Sequence, residues 1–124
     1  SYWRQLDAAV FGLGGPPDSE HFLISELDAE SVGKLVGTGA VGDILSQYFL
    51  PDGSPLPSEK TYSTTALDIR KLTGIKKTIC IAGGSKKVRA IMAAAGKKYF
   101  RTLLTDMGTA KEIYSILREE GRLN

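Results

Sequence analysis

The stretch from Lys77 to Glu120 restricts the fold more than any other part of the chain. Lys77 to Ala82 is a mostly apolar run of strand length. Ser85 to Ala95 repeats apolar residues at helical spacing, with Val88, Ile91, Met92 and Ala95 on one face. Tyr99 to Leu104 reads as a second strand, and Gly108 to Glu120 as a second helix that shows Ala110, Ile113, Ile116 and Leu117 before Gly121 ends it. Strand, helix, strand, helix joined by short links leaves one economical arrangement, a parallel βαβα unit. The fold class that follows is α/β.

Upstream the pattern is less regular. Residues 1–7 read as the end of a helix with Tyr2, Trp3 and Leu6 on one side. Ala8 to Leu13 then reads as a short buried strand closed by Gly14-Gly-Pro-Pro17. A buried strand needs neighbours on both edges, so a chain that meets one this early is expected to be part of a larger domain. Residues 18–27 read as loop. Asp28 is a good N-cap for a short helix running to about Val36, with Glu30 in its first turn. Ile44 to Leu50 alternates as a strand and runs into a tight turn at Pro51-Asp-Gly53, with residues near Leu56 returning as a hairpin. Thr61 to Thr65 is extended or loop, and Ala66 to Leu72 predicts a short helix ended by Gly74.

Composition narrows the function classes. The 124 residues make one domain, large enough to bury a core without disulfides or metal. A formal charge of +2, with no Lys/Arg run longer than two residues, gives no electrostatic footprint for nucleic acid. The single cysteine, Cys80, lies in the apolar run Thr78-Ile-Cys-Ile81 and reads as a buried thiol in a reducing compartment. No apolar run reaches the roughly 18 residues of a membrane span and no signal-peptide pattern is visible, so a soluble cytoplasmic protein is expected. His21 is the only histidine, and no cysteine stands near it to complete a metal site.

Two glycine-rich turns are where a ligand site can be built. The first, Val36-Gly-Thr-Gly-Ala-Val-Gly-Asp-Ile44, matches G-x-G-x-x-G in letters only. A dinucleotide fingerprint follows a strand, opens a helix and has an acidic residue about 20 positions on. Here a helix precedes, a strand follows, and Tyr62 and Ser63 stand where the acid belongs. Asp43, beside Gly42, is either a turn carboxylate that accepts backbone N–H groups or an acceptor for ligand hydroxyls. The second turn, Gly83-Gly-Ser-Lys-Lys87, lies at a strand's carboxyl end and opens a helix, where ligands of open α/β sheets bind. Lys86 and Lys87 oppose the helix dipole there. They are either solvated surface lysines, or one of them faces a phosphate or carboxylate. Asp106 is well placed to cap the last helix. No Ser–His–Asp set and no close pair of carboxylates is present to indicate catalysis.

In serial order, several segments together resemble one family. They are Asp7 to Gly14 (DAAVFGLG), Gly39 to Ile44 (GAVGDI), Tyr48-Phe49 with Asp52-Gly53, Ala82-Gly-Gly84 with Lys87, and Leu104-Thr-Asp106 with Thr109-Ala110. The pattern is similar to the SorC family of bacterial sugar-responsive transcriptional regulators. The resemblance implies a Rossmann-like three-layer α/β sandwich, similar to glucosamine-6-phosphate deaminases and ribose-5-phosphate isomerases but not itself an enzyme. Residues 1–124 would be the C-terminal portion of an effector domain, with the helix-turn-helix and the first part of that domain outside the chain. The implied ligand is a phosphorylated sugar. Asp43 would meet its hydroxyls beside Gly42, and Lys87 its phosphate at Gly83 and Gly84. No cofactor or metal is implied, operator DNA would be reached only through the helix-turn-helix, and a homo-oligomer is expected. The family often has an arginine shortly before the 66–72 helix. This chain has Thr61-Tyr-Ser-Thr-Thr65 there, so no role of that arginine carries over. Two alternatives stand beside this expectation. One is a sugar-phosphate isomerase or deaminase of the same fold with Asp43 as general base, and the other is a nucleotide-binding module.

Overall fold

The computed structural model describes residues 5–17, 29–57 and 68–122. Residues 1–4 of the helix end expected at 1–7, the loop at 18–27 with His21, the cap Asp28, and the segment 61–67 lie outside the described residues. Residues 5–7 are exposed and belong to no α-helix.

The elements in chain order are β1 (Ala8–Gly12), α1 (Ala29–Gly37), β2 (Gly42–Ile44), β3 (Gln47–Phe49), β4 (Lys77–Ile81), α2 (Val88–Gly96), β5 (Thr102–Leu104) and α3 (Met107–Glu119). Short 3-10 turns at Ile69–Gly74 and Ser85–Lys87 precede β4 and α2. Strands β1, β4 and β5 form a parallel sheet in the order β1-β4-β5, and β2 and β3 form an antiparallel pair beside it. This is the α/β class expected from the repeating pattern of the C-terminal half, with the parallel Rossmann-like sheet that the family resemblance implies.

Pairing register explains which face is buried. Phe11 pairs with Cys80, and Cys80 with Leu103, so these residues share one face. Helices α2 and α3 pack on that face through Ala90, Ile91, Ala94 and Ile113, and Tyr99 and Phe100 close it below β5. Fully buried Ile or Phe side chains of this kind contribute roughly 1.5–3 kcal/mol each. Tyr99 donates its hydroxyl to the Gly53 carbonyl, which ties the Pro51–Gly53 turn to the core. A second small cluster, Leu35, Ala40, Tyr48 and Leu56, joins α1 to the hairpin.

The opposite row of side chains is open. Val10, Ile81 and Leu104 are 63%, 53% and 52% exposed. The expectation of a buried first strand is corrected here. β1 is an edge strand in the described residues, and Phe11 is its only buried residue.

Four further expectations change. Ile44 to Leu50 is not one strand, because the chain reverses at Leu45 and Ser46, both left-handed with φ of 51° and 69°. The Asp43 carboxylate accepts the Ser46 N–H at 3.2 Å and stabilises that turn. The second hairpin stands as expected, with Leu56 N–H donating to the Tyr48 carbonyl at 3.0 Å. Where a helix is predicted at Ala66 to Leu72, the described part is a 3-10 turn at Ile69–Gly74, capped by Asp68, whose carboxylate accepts the Arg70 N–H. The strand at Tyr99 to Leu104 shortens to Thr102–Leu104 because Tyr99 and Phe100 turn into the core. On the helices, Ala95 and Ala110 are exposed, and their places in the core go to Ala90, Ala93, Ala94 and Thr109.

Candidate functional site at the carboxyl ends of the strands

All three parallel strands point their carboxyl ends the same way, and each ends in small or polar residues. β1 runs into Gly14-Gly15, β4 into Gly83-Gly84, and β5 into Thr105-Asp106. The β2–β3 hairpin is stitched onto this edge. Gly14 N–H donates to the Asp43 carbonyl at 2.9 Å, and Asp43 N–H to the Gly14 carbonyl at 3.2 Å. That close approach requires glycine twice. A Cβ on Gly42 would stand 2.5 Å from Ala90 Cβ and 2.5 Å from the Gly14 oxygen, and a Cβ on Gly14 would overlap the Asp43 carboxylate. Gly42 is therefore a packing residue between sheet, hairpin and α2, and it is what holds Asp43 at the edge.

Lys87 comes to the same strip from the other side. A Cβ on Gly15 would lie 3.7 Å from Lys87 Cγ, so the lysine stem runs over Gly15 while the Asp43 carboxylate lies over Gly14. Lys87 is half-buried and Lys86 is exposed. Burial pushes the Cys80 thiol up to about 11, and the positive charge of Lys87 acts on it in the opposite direction.

Gly83 and Gly84 play different parts. Gly83 packs on the Asp106 carboxylate, where any side chain would overlap it. Gly84 adopts φ 109° and ψ 145°, a conformation held essentially by glycine alone. Its N–H donates to Thr109 Oγ1 at 2.8 Å, so its part in a site is the shape of the turn. Asp106 accepts the Thr109 N–H on Oδ1 and the Thr109 hydroxyl on Oδ2, both at 2.8 Å. These bonds cap α3 as expected, and they hold the Asp106 carboxyl below the usual carboxylate range. Beside it, the Thr105 hydroxyl is buried and has no hydrogen-bond partner among the described residues.

The structure thus brings Asp43, Gly42, Lys87, Gly83 and Gly84 to one edge, and it adds Gly14, Gly15 and Thr109. The Gly14-Gly15 pair reads in the sequence as a strand terminator. Its position directly after a strand, like that of Gly83-Gly84, is the signal that marks it as part of the site. A cleft of about 460 Å³ bordered by Val41, Pro51, Arg89, Met92 and Arg122 shares no residue with this strip. The Gly37 to Gly42 match has α1 before it and β2 after it, the reverse of a dinucleotide turn. Among the described residues no three His, Cys, Asp or Glu side chains are grouped to hold a metal, and no helix is long and apolar enough to cross a membrane. A carboxylate over Gly14 and a lysine stem over the adjacent Gly15 suit a ligand with hydroxyls at one end and an anionic group at the other.

A parallel sheet with its polar edge at the strand ends defines a ligand-binding α/β domain. Residues 1–115 match the family described as "Putative sugar-binding domain", and the chain belongs to that family, the sugar-binding domains of SorC-type transcriptional regulators. The chain is 30% identical over 114 residues to the deoxyribonucleoside regulator of Bacillus subtilis, covering 92% of this chain and 36% of the relative. It is 28% identical over 115 residues to the sorbitol operon regulator of Klebsiella pneumoniae, covering 90% and 36%. The crystal structure of the full-length sorbitol operon regulator SorC from Klebsiella pneumoniae superposes with a TM-score of 0.77 at 26% identity, over 90% of this chain and 37% of that one. The chain therefore spans a little over a third of the length of the relatives it matches.

Proposed function

We propose that this chain is the effector-sensing part of a sugar-responsive transcriptional regulator and that its ligand is a phosphorylated sugar. The observation that carries this is the placement of the Asp43 carboxylate over Gly14 and the Lys87 stem over Gly15, neighbouring glycines at the carboxyl edge of the sheet. Asp43 receives sugar hydroxyls, and Gly42 lets the backbone carrying it come close. Lys87 meets the phosphate, and Gly83 and Gly84 supply a turn with no side chain in the way. Charge-assisted bonds of this kind are the strong ones in a polar site. The chain senses and does not catalyse. Its relatives are named as transcriptional regulators, and the Asp43 carboxylate is occupied in part by the Ser46 N–H. A ligand that binds one loop or quaternary state better shifts the population of DNA-competent oligomers. Operator DNA is contacted by a helix-turn-helix outside these residues, in the cytoplasm.

Residues 1–124 are read as the C-terminal portion of the effector domain. The apolar row Val10, Ile81 and Leu104 supports this, because parallel sheets are covered on both faces. The third layer of the sandwich comes from other residues of the regulator.

The test is a thermal-shift titration against ribose 5-phosphate, sorbitol 6-phosphate and the two free sugars. Binding stabilises by RT ln(1 + [L]/Kd), about 2.7 kcal/mol at a hundredfold excess over Kd. Selective stabilisation by a phosphate ester is the expected result. Equal stabilisation by a free sugar and its ester contradicts the phosphate role, and turnover of either ester by the chain contradicts the sensor role.

A further inference from the structure

Thr109 is a buried polar residue of α3, only 3% exposed. Its hydroxyl accepts the Gly84 N–H and donates to Asp106 Oδ2, so both of its hydrogen-bonding functions are engaged and its rotor is fixed. The Gly84 carbonyl in turn accepts the Lys87 N–H at 3.0 Å. An unbroken line of hydrogen bonds thus runs from Asp106 through Thr109 and Gly84 to Lys87. At its far end the Lys87 stem lies over Gly15, the residue after the Gly14 that the Asp43 carboxylate covers.

The hydroxyl is not needed to start the helix. Asp106 already caps α3 by accepting the Thr109 N–H, and threonine and valine have similar helix propensity. What the hydroxyl alone does is reach across to β4's exit turn. Gly84 has no side chain to anchor it and holds a conformation other residues avoid, so its main-chain bonds determine where the turn sits. We infer that Thr109 is a positioning residue for Lys87: by fixing Gly84 it sets where Lys87 leaves the backbone and hence where its ammonium meets the ligand. This rests on Lys87 being the anion-facing group proposed above.

Thr109→Val removes the hydroxyl at nearly constant shape and leaves the N–H to Asp106 in place, and Thr109→Ser restores the hydroxyl. Both variants, Lys87→Ala and the Thr109→Val/Lys87→Ala double variant are titrated with ribose 5-phosphate, sorbitol 6-phosphate and the free sugars. Thr109→Val is expected to weaken the phosphate ester about tenfold, the size of one hydrogen bond's worth of geometry. It leaves free-sugar binding unchanged, serine recovers the loss, and valine has no further effect once Lys87 is alanine. An additive loss in the Lys87→Ala background, or no recovery by serine, overturns the inference while the functional proposal stands. Wild-type affinity in Lys87→Ala removes the functional proposal and the inference with it. A ligand-free arm compares amide spectra, in which Thr109→Val is expected to move Gly84, Lys87 and Gly15. Shifts confined to the first turn of α3 overturn the inference without any ligand. Thr109→Ala replaces the valine variant if that one fails to fold.

Discussion

Cys80 is fully buried under the sheet, and Gly42, Gly14 and Gly83 each stand where a single added carbon would collide with a neighbour. These residues show how tightly the edge is fitted. The thiol provides a pH test. Burial raises it from its ordinary value of 9.0 to about 11. An acid whose folded pKa is raised binds its proton more tightly in the folded state, so its stabilising effect is complete below pH 9 and is lost as pH rises from about 9 to about 11. Urea unfolding across that window is expected to show a fall in stability that Cys80→Ala lacks. At pH 8 the thiol is expected to resist iodoacetamide in the folded chain and to react in urea. Rapid alkylation of the folded chain, or identical pH profiles for the two proteins, contradicts the buried placement. At this scale the sequence was informative about chemistry and silent about roles. Cys80 in an apolar run and Asp106 before a helix are legible as residue types. The difference between Gly83, which packs on a carboxylate, and Gly84, which bends the chain, depends on what comes opposite each from residues far away in the chain.

Among the elements, the β2–β3 turn shows why some of the fold was hidden. Hairpin turns of this kind need positive φ at both central residues and favour Asn-Gly. Here they are Leu45 and Ser46, an ordinary pair that reads as a continuing strand. The turn holds because the Asp43 carboxylate receives the Ser46 N–H and because Ile44 and Phe49 on either side are fully buried. Tertiary packing overrides local preference at this position. Replacing Leu45-Ser46 by Asn-Gly is expected to stabilise the chain by about 0.5–1 kcal/mol through relief of the left-handed backbone. Thermal unfolding measures it, and a loss of stability would show that Leu45 makes contacts the turn depends on. By contrast β4, α2, β5 and α3 were legible as elements and in their order, because strand-length apolar runs alternate with helical spacing and Gly121 follows the last helix. The start of β5 and the places of Ala95 and Ala110 were not.

At the scale of the whole molecule, the sheet of the described residues has one covered face and one row of open apolar side chains. An exposed Ile81 is a surface position in this chain and a core position in the complete sandwich proposed above. Ile81→Lys is therefore expected to change the stability of the 124-residue chain by less than about 0.5 kcal/mol, the scale of a surface substitution. In the longer regulator it is expected to remove several kcal/mol, as burying an unpaired charge does. Denaturant unfolding of both lengths decides this, and an equal effect in the two contradicts a covering layer. The site shares this logic. Asp43 and Lys87 come from segments far apart in sequence, and only the bridging of Gly14 to Asp43 and the turn at Gly84 bring them together. The residues were visible as candidates, and their placement over the neighbouring glycines Gly14 and Gly15 was not.

The most direct measurement is calorimetric titration of wild type and Lys87→Ala with a stabilising sugar phosphate and with its free sugar. Lys87→Ala is expected to lose about tenfold or more in affinity for the ester, the scale of a hydrogen bond to a charged group. Its affinity for the free sugar is expected to stay at the wild-type level. Equal losses for both ligands would contradict Lys87 as the phosphate contact and with it the phosphorylated-sugar sensor.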